Sequence, residues 1–335
     1  MKKFLIKSAL FLSPLTLLII GEYIIDPYYL FHDSGNCSKE LYEIGYSYDQ
    51  GRRYKTFRYL KKENNTDKII MGSSQINVLT EDIIPEKGWM SLSFGGVHLK
   101  ETLDMFMNLV DKERVNKVLL APEFVSYCAA VSDENDNYRW STSSIYQVED
   151  EFNDKASYFI DKCVFQASFS YLVSLLGGDN SRGVPQTSKD EFWKEQLDYC
   201  NKMFTASVVE IQRKQVTDMF TDFKREADRN GINVIVVIPA QHLDIIKMEY
   251  SEGIFSQYAS YLEFLVNTFN NVYYFDYPNS VTNNKDFFGD PMHCNNAQIY
   301  ISSLWPQNDT DEYEGIKLTK DNICEILETV RNSIN

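Results

Sequence analysis

No Cys-x-x-Cys and no His-x-x-x-His occurs in this 335-residue sequence, and no Gly-x-Gly-x-x-Gly follows any predicted strand. The first two absences argue against a structural or catalytic zinc site, and the third removes the dinucleotide-binding fingerprint. Histidine is scarce, with only His32, His98, His242 and His293 available as imidazoles. The six cysteines (Cys37, Cys128, Cys163, Cys200, Cys294 and Cys324) permit disulfides in an exported chain but are too few for a disulfide scaffold at this length. Neither a metal nor a cofactor is expected. Basic charge is also short: 33 Lys and Arg stand against 48 Asp and Glu, a net charge of −15. Such a surface cannot neutralise a phosphate backbone, so nucleic acid is not an expected partner. The acidic balance sets solubility and names no partner itself.

What the chain does have is apolar mass. Hydrophobic residues make up 44% and aromatics 14%, which at this length suffices to bury a sizeable core in one large domain or two small ones. The N-terminus places Lys2, Lys3 and Lys7 ahead of an apolar stretch from Ser8 to Ile25, broken only by Pro14, Gly21 and Glu22. Roughly 20 apolar residues span a bilayer core, and the preceding lysines predict a cytoplasmic N-terminus. No small-x-small cleavage site follows, so residues 1–25 read as a retained signal anchor with the rest of the chain exported. Residues 26–65, rich in tyrosine and charge and without periodicity, read as a juxtamembrane connector.

From residue 66 to 335 the pattern is α/β. Apolar runs at Lys68–Met71, Trp89–Phe94, Lys117–Ala121, Ile232–Ile238 and Asn271–Asp276 predict strands. Helical spacing over Leu99–Val110, Val208–Asn230, Tyr258–Phe269 and Leu318–Ile334 separates and closes them, with Gly231 at a helix C-terminus. Alternation of this kind predicts a mostly parallel sheet covered on both faces, a three-layer α/β/α sandwich of flavodoxin-like type. The stretch over about 133–207 interrupts the rhythm with Ser, Asn, Asp and Gly clusters and reads as an inserted cap. Its Tyr138, Trp140 and Tyr146 are candidates for stacking on sugar rings, against the plainer reading that they fill a core.

Open parallel sheets place chemistry at the carboxyl ends of their strands. Gly72-Ser73-Ser74-Gln75 leaves the first predicted strand, and Asp290-Pro291-Met292-His293 follows the last. A serine hydroxyl needs an imidazole to take its proton and a carboxylate to orient that imidazole. Ser74 as nucleophile, His293 as base and Asp290 as orienter meet that need, and the Asp-x-x-His spacing lets one turn present both side chains. Backbone N–H groups near Ser74 and at Gly95 or Gly96 are candidates for holding an oxyanion. Gln75 and Glu123 are candidates for contacting substrate, although each also reads as a cap or strand-end residue. His98 and His242 could line the site, although each reads more simply as a helix-start residue. Taken singly, Gly-Ser-Ser is a turn or cap and Asp-Pro a loop opener; the combination carries the reading.

This constellation resembles the SGNH (GDSL-like) hydrolase superfamily over about residues 66–334. The resemblance aligns Gly72-Ser73-Ser74 with the nucleophile block, Ser73 standing where the family has aspartate. It aligns Gly95 or Gly96 with the glycine of the oxyanion hole, and Asp290 and His293 with the other triad members. The Gly-Ser-Ser variant, the anchor and the insertion are most similar to the membrane-anchored branch that includes the D-alanyl-lipoteichoic acid and alginate O-acetylation proteins. The family's Gly-x-Asn-Asp block is replaced here by Ala121-Pro122-Glu123-Phe124, and the segment from Cys294 to Gly315 is longer than in compact members. The resemblance implies an extracytoplasmic, membrane-tethered acyltransferase or esterase acting on a cell-envelope glycan, with a membrane acyltransferase as a possible partner. The alternative is an inactive glycan-binding or scaffold protein on the same fold.

Overall fold

Each expected strand lies in one six-stranded sheet of order β2-β1-β3-β4-β5-β8 in the computed structural model, which describes residues 2–26, 55–56, 58–60, 66–132, 162–175, 188–206, 208–306 and 315–334. The strands are β1 (Lys68–Gly72), β2 (Trp89–Ser93), β3 (Lys117–Ala121), β4 (Asn233–Ile238), β5 (Val272–Tyr274) and β8 (Ile316–Leu318). The first five run parallel, and β8 joins the β5 edge antiparallel. The fold class is therefore α/β with a mostly parallel sheet.

The central strands form on short continuous apolar runs (Ile69–Met71, Val118–Ala121 and Val234–Ile238) and not on strict alternation, as a sheet buried on both faces requires. In register across the sheet, Leu92, Met71, Leu120, Val236, Val272 and Leu318 make one fully buried row. On the opposite face Ile70, Leu119, Val237 and Phe275 pack with Ile76, Trp193 and Tyr300. The helices of this α/β unit are α2 (Leu99–Asn108), α3 (Phe124–Ser132), α5 (Lys189–Phe204), α6 (Glu210–Arg229), α7 (Leu243–Glu249), α8 (Phe255–Thr268), α9 (Gln298–Leu304) and α10 (Ile323–Ile334). A small hairpin pairs β6 (Phe288–Asp290) with β7 (His293–Cys294).

Two sequence expectations change in detail. The closing helix starts at Ile323, because Leu318 is taken up by β8 as the antiparallel partner of Val272. The stretch read as a cap is divided: residues 162–175 cluster with residues 2–26, whereas α5 belongs to the α/β unit and packs on α3, α7 and β6. A capping box, Ser188 with Glu191, starts α5 afresh within that stretch. Tyr138, Trp140 and Tyr146 lie outside the described residues.

In the second unit, α1 (Lys2–Ile25) packs against α4 (Lys162–Leu175). The N-terminal helix forms as expected, but no helix among the described residues is long and apolar enough to cross a membrane. Lys7 and Glu22 close the uncharged run of α1, and Pro14 lies inside it.

Candidate active site

Order 2-1-3-4-5 places the switch point of the sheet between β1 and β3, where the chain leaves one central strand for either side. Ser74 sits at the carboxyl end of β1, at this point. The turn that carries it depends on Gly72, whose φ is +155°. A side chain there would bring a Cβ to 2.9 Å from the Ala121 carbonyl oxygen and 3.2 Å from Ile76 Cγ2. Close packing of β1 on β3 thus requires glycine.

After Gly72, Ser73 caps a short 3₁₀ turn, Ser74–Ile76, its hydroxyl accepting the Gln75 N–H at 3.2 Å. That turn touches β7, and the contact carries the base. Ser74 Oγ lies 2.7 Å from His293 Nε2, and His293 Nδ1 lies 2.6 Å from Asp290 Oδ2. The Asp290 bond fixes the proton on Nδ1 and leaves Nε2 to accept from the Ser74 hydroxyl. The structure brings together Ser74, His293 and Asp290, residues that lie at opposite ends of the α/β unit in sequence.

The Asp-x-x-His spacing works through the β6–β7 hairpin. Asp290 and His293 are cross-strand partners, with Pro291 and Met292 as the turn between them. Asp290 Oδ1 accepts the Met292 N–H at 2.9 Å, so the carboxylate is held at both oxygens. The hairpin is moored from β4's exit: the His242 N–H donates to the Pro291 carbonyl at 2.9 Å. Cys200 on α5 lies against the same turn, its Sγ 3.2 Å from Met292 Sδ.

Exposure separates the roles. The His293 side chain keeps 28% of its surface open and Asp290 only 9%, so of the pair the imidazole is the one accessible to a small molecule. Burial alone would lower the His293 pKa, but the hydrogen bond and charge of Asp290, helped by Glu123, raise it above the ordinary histidine value. For Asp290 burial pushes up, and the His293 bond and charge prevail, leaving it below the ordinary aspartate value.

The other sequence candidates fall as follows. Gly95 and Gly96 lie in the turn after β2, whose last residue Ser93 is the register partner of Gly72, so they share the Ser74 end of the sheet. Phe94 N–H donates to the Gly72 carbonyl at 3.1 Å and ties the two turns together. Gln75 is buried, and its Oε1 has no hydrogen-bond partner among the described residues. His98 begins α2 without a side-chain cap bond. His242 caps α7, its Nδ1 accepting the Asp244 N–H at 3.2 Å, which is the helix-start reading. Glu123 is buried and bonded to the hydroxyls of Ser73 and Ser126. Sequence reasoning missed Cys200 and the mooring role of the His242 backbone; neither carries a motif.

Among the described residues no group of three or more His, Cys, Asp or Glu side chains is placed to hold a metal ion. Cys128, Cys200, Cys294 and Cys324 are free thiols, the first three buried. No protein-family profile, curated protein or solved structure matches this chain.

Proposed function

We propose that this chain is a serine-dependent acyltransferase or esterase of SGNH type, tethered through its N-terminal segment and acting outside the cytoplasm on a cell-envelope glycan. The observation that carries the reading is the continuous relay Ser74 Oγ–His293 Nε2 at 2.7 Å and His293 Nδ1–Asp290 Oδ2 at 2.6 Å. A serine within hydrogen-bond reach of an imidazole that a carboxylate in turn orients has the arrangement an activated nucleophile needs.

The chemistry runs in two halves. Ser74 Oγ attacks the carbonyl carbon of a donor ester while its proton passes to His293 Nε2. The tetrahedral adduct collapses, the leaving alkoxide takes that proton, and the acyl group remains on Ser74. A sugar hydroxyl or water then gives its proton to His293 and attacks the acyl carbon, and Ser74 leaves with the proton returned. Asp290 stabilises the imidazolium in both halves. Backbone N–H groups of the Ser74 and Gly95–Gly96 turns are the proposed oxyanion donors. The lysines ahead of the uncharged N-terminal run support the tether.

A fluorophosphonate probe tests the reading directly. Stoichiometric labelling of the purified full chain, lost in Ser74→Ala and in His293→Ala, is the expected outcome. In cells, Ser74→Ala should lower ester content of the envelope glycan. A chain that stays unlabelled although folded is a scaffold and not an enzyme.

A further inference from the structure

Glu123 is a carboxyl group with no place in the triad and an environment that a spare residue would not have. It follows the Pro122 that ends β3, directly before α3, and is 4% exposed. Both of its oxygens are engaged: Oε1 by the Ser73 hydroxyl and Oε2 by the Ser126 hydroxyl at 2.9 Å. Leaving a buried carboxyl group is costly unless it is bonded, so its retention calls for a reason.

The reason lies in what Ser73 does. Its hydroxyl is both the donor to Glu123 and the acceptor of the Gln75 N–H, so it links β3's exit to the 3₁₀ turn that carries Ser74. Ser73 precedes Ser74, and rotation of the Ser73 backbone would swing Oγ of Ser74 away from His293. The other side of the turn is anchored by Gly72 against Ala121. The nucleophile is thus clamped from β3 at two successive residues, once by packing and once by a hydrogen-bonded carboxyl group.

The electrostatic setting points the same way. Burial raises the Glu123 pKa, against the opposing pull of the Ser73 and Ser126 bonds and of His293. Other titratable groups within electrostatic range are Tyr199 and Cys200 of α5, Tyr261 of α8 and Tyr300 of α9, none of them cationic. The triad imidazole is a cation-forming group that acts on this carboxyl. We infer that Glu123 is the positioning residue of the nucleophile, holding the Ser73–Ser74 turn through the Ser73 hydroxyl so that Ser74 Oγ stays in line with His293.

This assignment rests on the acyl-handling reading, and one experiment separates the two. The second-order rate of fluorophosphonate labelling is measured on the full chain for wild type, Glu123→Ala, Glu123→Gln and Ser73→Ala, with the unfolding midpoint of each. A misplaced nucleophile loses about 10–100-fold in rate, and that loss is expected for Glu123→Ala. Glu123→Gln keeps an acceptor for Ser73 and should recover to within about threefold of wild type. Ser73→Ala removes the link without emptying the site, and should lose as much as Glu123→Ala even where the latter folds poorly. Wild type that labels while Ser73→Ala labels equally fast overturns the assignment and leaves the enzyme reading intact. Equal losses in Glu123→Gln and Glu123→Ala also overturn it. Wild type that never labels overturns both.

Discussion

At Ser74 the hydroxyl has little nucleophilicity of its own, and its reactivity depends on the state of His293. Because the imidazole pKa is raised, the base form is lost as pH falls through a value above that of an ordinary histidine. The acidic limb of the labelling rate should therefore lie above pH ~6.5 in the wild-type chain. Asp290→Asn removes the bond and charge that raise it, so the limb should move to lower pH. The same change removes tautomer control, and the maximal rate should fall by roughly 10³–10⁴-fold. A pH profile of labelling for both proteins checks the two effects together; an unmoved limb would contradict the assignment of Asp290 as orienter. At this scale the triad was legible, because Gly-x-Ser after an apolar run and Asp-x-x-His each encode a local turn. The link of Glu123 to Ser73 was not, since the two are 50 residues apart and only packing of β3 on β1 introduces them.

Among the elements, the turn after β1 is the most demanding. Gly72→Ala would place a methyl group 2.9 Å from the Ala121 carbonyl oxygen at a backbone angle that alanine resists. A loss of about 1–3 kcal/mol is expected, read as a lower urea midpoint with an unchanged slope. Labelling of the residual folded protein should fall with it, because Ser74 is two residues on. Five strands and four of the eight helices of the α/β unit were legible from apolar runs and helical spacing. The remaining strands followed no period: β8 and β6 are three residues long and β7 is two. Such short pieces owe their conformation to the neighbour they pair with, not to their own pattern. The inclusion of α5 in the cap had a different cause, since its Ser188–Glu191 signal was present and was outweighed by the irregular stretch before it.

For the molecule as a whole, the carboxyl pair Glu249 and Asp276 contributes to the response of stability to pH. Both are fully buried, joined through Gln241 Nε2 at 2.9 and 3.2 Å, with the Tyr258 hydroxyl donating to Asp276 at 2.8 Å. Burial first, then the charge and hydrogen bond of Asp276, pushes Glu249 well above the ordinary glutamate value, and burial raises Asp276 as well. A raised carboxyl holds its proton in the native state where the unfolded chain has released it. Its contribution is therefore complete below the unfolded pKa and declines as pH rises toward the native one. Glu249→Gln removes this titration, so its stability relative to wild type should improve between about pH 4.5 and pH 7.5. Urea unfolding at the two pH values measures it; an unchanged difference would mean that the pair does not titrate in this window.

The nucleophile and its base are 219 residues apart along the chain. At ribosomal speeds of about 5–20 residues per second, Ser74 emerges roughly 10–45 s before His293 exists. During that interval the serine has no proton acceptor, and nothing it meets can be acylated or deacylated. On the proposed acyl-handling reading the late hairpin is therefore an arming step, and a chain cut short before Asp290 should take no fluorophosphonate label however well its first strands have folded.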